Sequence, residues 1–135
     1  MAERTLILVK PDAFERRLTG EVIARFERKG LTLVALKQMT ATEEIANVHY
    51  EEHTEKPFFG ELVEFITSTP TLALVLEGES AIQVVRTTMG ATNPLEATTG
   101  SIRGDFAIAV GQNMVHGSDS NESAERESKL FFPEL

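Results

Sequence analysis

Thr5-Leu-Ile-Leu-Val9, followed at once by Lys10-Pro11-Asp12, is the stretch on which the fold turns. A continuous apolar run of β-prone residues predicts a strand buried on both faces, and the proline forces an end that leaves Lys10 at the strand's tip. Working outward, Val22, Ile23 and Phe26 recur at helical spacing between about Gly20 and Lys29, with Gly30 placed to close that helix. Leu31 to Met39 alternates loosely and is expected as a second strand. Thr42-Glu-Glu-Ile45 opens a helix, the threonine as cap and the acidic pair at the positive end of the dipole, and this helix is expected to run to about His53. An amphipathic segment follows from Phe58 to Thr67, with Leu62, Phe65 and Ile66 on one side, and Pro70 ends it. Leu72–Leu76 is then a strand, Ser80–Arg86 a helix and Phe106–Val110 the last strand. The tail from Ser118 to Phe131 is expected as a helix, with Asp119 as N-cap and Glu122 as its box partner.

That order of elements implies an α+β architecture, one mostly antiparallel sheet covered by helices, and a ferredoxin-like βαββαβ sandwich fits it. A chain of 135 residues is expected to form a single domain over 1–135, burying roughly two-thirds of its extended surface. No apolar run approaches the ~20 residues that a membrane helix needs, and Met1-Ala2-Glu3-Arg4 does not resemble a signal peptide, so a cytoplasmic protein is expected. The absence of cysteine removes disulfides, thiolate metal sites and cysteine nucleophiles. A net charge of −8 argues against coating nucleic acid, so an anionic ligand must be captured by a local cluster among the thirteen Lys and Arg residues.

Neither G-x-x-x-x-G-K-[ST] nor G-x-G-x-x-G occurs, which removes the common phosphate-binding loops. Attention passes to Asn113-Met-Val-His116-Gly-Ser-Asp-Ser120, a histidine in a small polar turn after a strand, where Gly117 leaves one side of the imidazole uncrowded. A neutral ring nitrogen is available near pH 7, so His116 reads as a nucleophile for phosphorus or as a cap for the following helix. Ala124, Glu127 and Phe131 share a helical face, which sets a carboxylate where an apolar residue belongs. Glu127 is thus either a solvated surface acid or, with Ser118, a partner that holds one tautomer of His116. His49 and His53 stand four apart, but Tyr50 occupies the position where a zincin helix has Glu, and a solvated helix face is the expectation for the pair. Residues 87–105 hold three glycines, a proline and five threonines without periodicity, a long loop with Arg86 and Arg103 at its edges. Lys10, Arg86 and Arg103 are surface charges or phosphate contacts; their places at element ends favour the second.

Asn113–Ser120 resembles the active-site signature of the nucleoside diphosphate kinases. Thr5–Asp12, His49-Tyr50, Lys56–Phe59, Gly90–Pro94 and Gly100–Phe106 resemble the family's other blocks, in the same order and over essentially the whole chain. The resemblance implies a ferredoxin-like sandwich and a ping-pong transfer of the γ-phosphate from an NTP to an NDP through a phosphohistidine. In that scheme His116 matches the nucleophile, acting through Nδ1, and Tyr50 and Glu127 match the groups that position it, with Ser118 in support. Lys10 and Asn113 match residues at the ribose and its 3′-hydroxyl, and Arg86, Thr92 and Arg103 match the phosphate clamp. Phe58 matches the aromatic on which the base stacks, which accounts for broad base specificity because stacking reads a π-face and no hydrogen-bonding edge. Mg²⁺ is implied as a passenger on the nucleotide phosphates, and a homo-oligomer of dimers, tetramer or hexamer, as the assembly.

Four positions depart from the family's pattern: Ala13 for the common Gly, Thr99 for the Pro usual before Gly100, Ser101 for Thr, and Phe131 for a frequent Trp. Thr99 matters most, since losing a proline loosens the long loop. A catalytically silent relative acting as a binding module, a small-metabolite sensor, and a protein-histidine kinase are the competing expectations. A pure binding module has no need of His116 together with Lys10 and Arg103.

Overall fold

In the computed structural model, residues 2–50 and 59–135 are described. The expected continuation of a helix to His53, and Phe58, lie outside them. The chain runs β1 (Ala2–Val9), α1 (Pro11–Glu15), α2 (Thr19–Arg28), β2 (Thr32–Met39), α3 (Glu43–His49), α4 (Phe59–Ser68), β3 (Thr71–Glu79), α5 (Ala81–Met89), a 3₁₀ turn (Pro94–Glu96), α6 (Ile102–Phe106), β4 (Val115–Gly117) and α7 (Asn121–Phe131).

The sheet is four-stranded and antiparallel, in the order β2-β3-β1-β4. β1 therefore lies inside the sheet, paired with β3 from Ala2↔Glu79 to Val9↔Leu72 and with β4 from Ile7↔Gly117 to Val9↔Val115. Strand side chains alternate, so its apolar run feeds two cores at once. Ile7 and Val9 pack with Val22, Phe26, Val85 and Met89 on one face, while Leu6 and Leu8 pack with Ala46, Ile66 and Phe131 on the other. Burying each such side chain stabilises the fold by about 1.5–3 kcal/mol, which is why both faces carry helices. The α+β ferredoxin-like sandwich expected from the order of elements is the one observed.

Local chemistry explains most boundaries. Thr42 caps α3 by accepting from Ile45 N at 3.1 Å, as its position predicts. Gly30 follows α2 with φ 105, a conformation that glycine adopts without strain. Asp119 is not the cap of α7: Ser120 is, accepting from Ser123 N at 3.1 Å, one residue later than expected. α1 was not expected because five residues are too few for a periodicity; Pro11 at its first turn starts it.

Residues Phe106–Val110 do not form the expected last strand: Phe106 ends α6, and Ile108 and Val110 are exposed, so their alternation faces no sheet. The last strand is β4, and it carries His116 itself. The 87–105 stretch is likewise less irregular than its composition implies. α5 continues to Met89, Gly90 ends it at φ 89, and Ser101 caps α6 by accepting from Gly104 N at 3.1 Å. Gly104 must be glycine, because a Cβ there would collide with the Thr98 carbonyl. Among the described residues no helix is long and apolar enough to cross a membrane.

Candidate active site

β4 pairs with β1 so that Leu8 stands opposite His116. Its neighbours Val115 and Gly117 are buried, while the half-buried His116 lies against α3 and α7. Gly117 does not serve to uncrowd the imidazole, as its sequence position implied. A Cβ there would come within 2.9 Å of Met89 Cε and 3.0 Å of Val85 Cγ1, so the glycine lets α5 close on β4.

Glu127 projects from the inward stripe of α7 and is only 5% exposed. Its Oε1 lies 2.9 Å from His116 Nε2 and accepts from Ser118 Oγ at 2.6 Å. Burial alone would raise this carboxyl's pKa, but the bonds from His116 and Ser118 outweigh burial and hold it down at about 2. An Nε2–H that donates to a fixed carboxylate leaves Nδ1 as the lone-pair nitrogen. The reading of Glu127 as a solvated surface acid does not survive this placement.

Cations gather in the same cleft. Lys10 Nζ donates to Asn113 Oδ1 at 2.9 Å, and Asn113 Nδ2 donates to the Thr92 carbonyl at 3.0 Å. Arg103, 5% exposed, donates to the carbonyls of Asn113 at 3.1 Å, Gly90 at 3.0 Å and Val115 at 2.7 Å. Arg86 reaches across from α5 to the Gly117 carbonyl at 3.2 Å. Burial, and then the Arg103 charge, lower the Lys10 pKa to about 8; burial, and then Arg86, lower that of Arg103 to about 10. The group is short of negative charge, and an anion relieves it.

These residues converge on one cleft of about 380 Å³. Of the expected site residues, Lys10, Tyr50, Arg86, Thr92, Arg103, Asn113, His116 and Glu127 line it, Ser118 supports it through Glu127, and Phe58 lies outside the described residues. Burial, and then the Glu127 charge, raise the Tyr50 pKa to about 12, so it stays a neutral phenol.

His49 overturns its expectation. It is not on a solvated face but 6% exposed, with its ring 4.7 Å from that of His116. Donor atoms of His49, His116 and Glu127 lie within 4.8 Å of one another, a set able to hold a metal by type, yet the Lys10 and Arg126 charges acting on it oppose a cation. Leu62 and Val110 also line the cleft, and neither was expected as a site residue. Leu62 was readable as one edge of an amphipathic helix, whereas Val110 was misassigned to a strand.

The profile of the nucleoside diphosphate kinase family matches residues 3–135. A nucleoside diphosphate kinase of Parafrankia sp. (strain EAN1pec) is 61% identical over 134 residues, 99% of this chain and 98% of its own length. That of Methanobrevibacter smithii is 56% identical over 99% of this chain and 89% of its own length. The crystal structure of the Encephalitozoon cuniculi nucleoside diphosphate kinase superposes with a TM-score of 0.95 at 45% identity, covering 96% of this chain and 88% of that one. A halophilic nucleoside diphosphate kinase from Halobacterium salinarum, in complex with CDP, superposes with a TM-score of 0.95 at 48% identity over 98% of this chain and 88% of its own.

Proposed function

Because the chain belongs to the nucleoside diphosphate kinase family of phosphotransferases, we propose that it moves the γ-phosphate of an NTP, typically ATP, to an NDP by a ping-pong route through phosphorylated His116. The observation that carries this reading is the Glu127–His116 bond of 2.9 Å, which points the Nε2–H away and leaves Nδ1 for the cleft.

The lone pair of Nδ1 attacks the γ-phosphorus. An N–P bond forms as the bond from phosphorus to the bridging oxygen breaks, and the NDP departs with that electron pair. A second NDP reverses the step: its terminal oxygen attacks phosphorus, and Nδ1 recovers its electrons. Glu127 offsets the positive charge that grows on the ring in the first step and keeps the ring aligned throughout. Lys10 and Asn113 hold the ribose and its 3′-hydroxyl, while Arg86, Thr92 and Arg103 clamp the phosphates. Arg103 has five N–H donors, of which three are shared with the carbonyls named above, so two remain for phosphate oxygens.

The donor set fits a Mg²⁺ ion carried on the phosphates. Of the two carboxylates lining the cleft, Glu127 is engaged by His116 and Ser118, and Asp119 stands exposed at the rim, so the described residues offer no all-protein cage. When bound, the ion neutralises charge on the transferring oxygens. Leu62 and Val110 offer apolar lining that reads no hydrogen-bonding edge of the base, which supports broad specificity, and the role of stacking aromatic is assigned to Phe58 from the sequence. β2 is an edge strand with Leu36 half exposed, which supports assembly into dimers and from them tetramers or hexamers. The proposed setting is the cytoplasm, and neither a membrane nor nucleic acid is required.

The kinetic test is a set of initial rates with ATP against several NDPs. Parallel double-reciprocal lines, shared by purine and pyrimidine acceptors, are expected; intersecting lines would mean direct transfer in a ternary complex.

A further inference from the structure

His49 closes α3 and lies against His116, the two ring planes at 83° with centroids 4.7 Å apart. It is 6% exposed, and neither of its ring nitrogens has a hydrogen-bond partner among the described residues. A neutral imidazole carries one N–H and one lone pair, and a buried polar group without a partner is rare enough to require a reason. Packing is not the reason. Phe131 meets the same ring edge-to-face with centroids 5.5 Å apart, Tyr50 likewise at 4.6 Å, and a phenylalanine in place of His49 would fill the volume with no polar atom to satisfy.

A polar group lacking a partner in the free chain, and buried beside the nucleophile, points to a partner present in another state of the enzyme. A ring nitrogen of His49 stands within 4.8 Å of a ring nitrogen of His116. We propose that His49 donates a hydrogen bond to the phosphoryl group while that group is on His116. The contact forms as the phosphoryl arrives and is lost as it leaves, so it favours the transition state and the phosphoenzyme over the free enzyme. No proton is transferred: burial, then the neighbouring His116, Lys10 and Arg126, lower the His49 pKa to about 3, and the ring donates as a neutral imidazole. The inference rests on the phosphohistidine reading above.

The test compares wild type, His49→Phe and His49→Gln in single-turnover phosphorylation by ATP and Mg²⁺, with ADP affinity measured alongside. His49→Phe keeps the ring and removes the donor; about a 10- to 100-fold slower phosphorylation is expected, with ADP affinity unchanged. His49→Gln restores an N–H and most of the rate. His49→Phe at the wild-type rate overturns the proposal, and so does His49→Gln as slow as His49→Phe. Should the variants not fold, the wild type decides. Its His49 N–H proton resonance moves downfield on phosphorylation and returns when GDP discharges the enzyme, whereas an unmoved resonance overturns the proposal. A wild type that never gains phosphate sinks the phosphohistidine reading itself, which keeps the two failures apart.

Discussion

Glu127 Oε1 lies 2.9 Å from His116 Nε2 and 2.6 Å from Ser118 Oγ, so a single carboxylate oxygen serves both the imidazole and the hydroxyl. Removing it by Glu127→Ala takes away the anchor of the ring and leaves the nucleotide contacts intact. The expected result is a fall of about 10- to 100-fold in kcat with KM little changed, as for other groups that orient a reacting histidine. An equal rise in KM with unaltered kcat would assign Glu127 to substrate binding instead.

The same carboxylate should be visible in stability. Its folded pKa is depressed to about 2, below the unfolded carboxylate value, so the ionised form contributes stability that is fully present above the unfolded pKa. That contribution is lost as pH falls through the folded value. Urea midpoints of wild type and Glu127→Gln are therefore expected to differ near neutrality and to converge as pH drops from about 5 towards 2. A gap that widens on acidification would contradict the assignment.

Lys10 acts at the alkaline end. Burial and Arg103 bring its pKa down to about 8, so the free enzyme loses this charge on mild alkalinisation. kcat/KM, which reports the free enzyme, is expected to fall above pH about 8, and Lys10→Met is expected to be weaker throughout and to lack that limb. Folding stability carries the reverse sign: between pH about 8 and the ordinary lysine value the unfolded chain holds the extra proton, so this group's effect is to raise stability with pH.

Arg103 and Arg86 should separate in their substitutions. Arg103 holds the carbonyls of Gly90, Asn113 and Val115 together, a three-way fork that lysine cannot reproduce. Arg103→Lys is expected to cost about 1–3 kcal/mol of stability as well as activity. Arg86, exposed and with one bond to Gly117, should lose nucleotide affinity on Arg86→Lys with little change in melting temperature. Urea unfolding and ADP binding on both variants check this, and equal destabilisation would contradict it.

The sequence was most legible where a pattern had room to repeat. The run Thr5–Val9 announced an inner strand because both its faces are buried, whereas the helical spacing of Ala124, Glu127 and Phe131 flagged an acid on a core face but left it open as a solvated acid or a partner of His116 until the fold buried it. β4 was not legible: three residues, one a histidine and one a glycine, give no alternation, and the apolar residues of 106–110 drew the strand to the wrong place. His49 was misread for a different reason. Besides its neighbour Tyr50, the rings that cover it are Phe131 of α7 and His116, partners distant in sequence.

Thr99 stands exposed just before Gly100 in the loop between α5 and α6. Fixing φ there reduces the freedom of the unfolded chain, so Thr99→Pro is expected to add about 0.4–1 kcal/mol. Thermal melting reads this as a rise of a few degrees; no gain would show that the backbone at this position does not suit proline.

His116 itself is expected to carry the phosphate. Wild type and His116→Ala, incubated with ATP and Mg²⁺ and freed of nucleotide, are compared by intact mass. One acid-labile phosphoryl group is expected on the wild type, discharged by GDP with formation of GTP, and none on the variant. A wild type that binds ATP without ever gaining phosphate, or a variant that is phosphorylated and discharged as well as wild type, would contradict it.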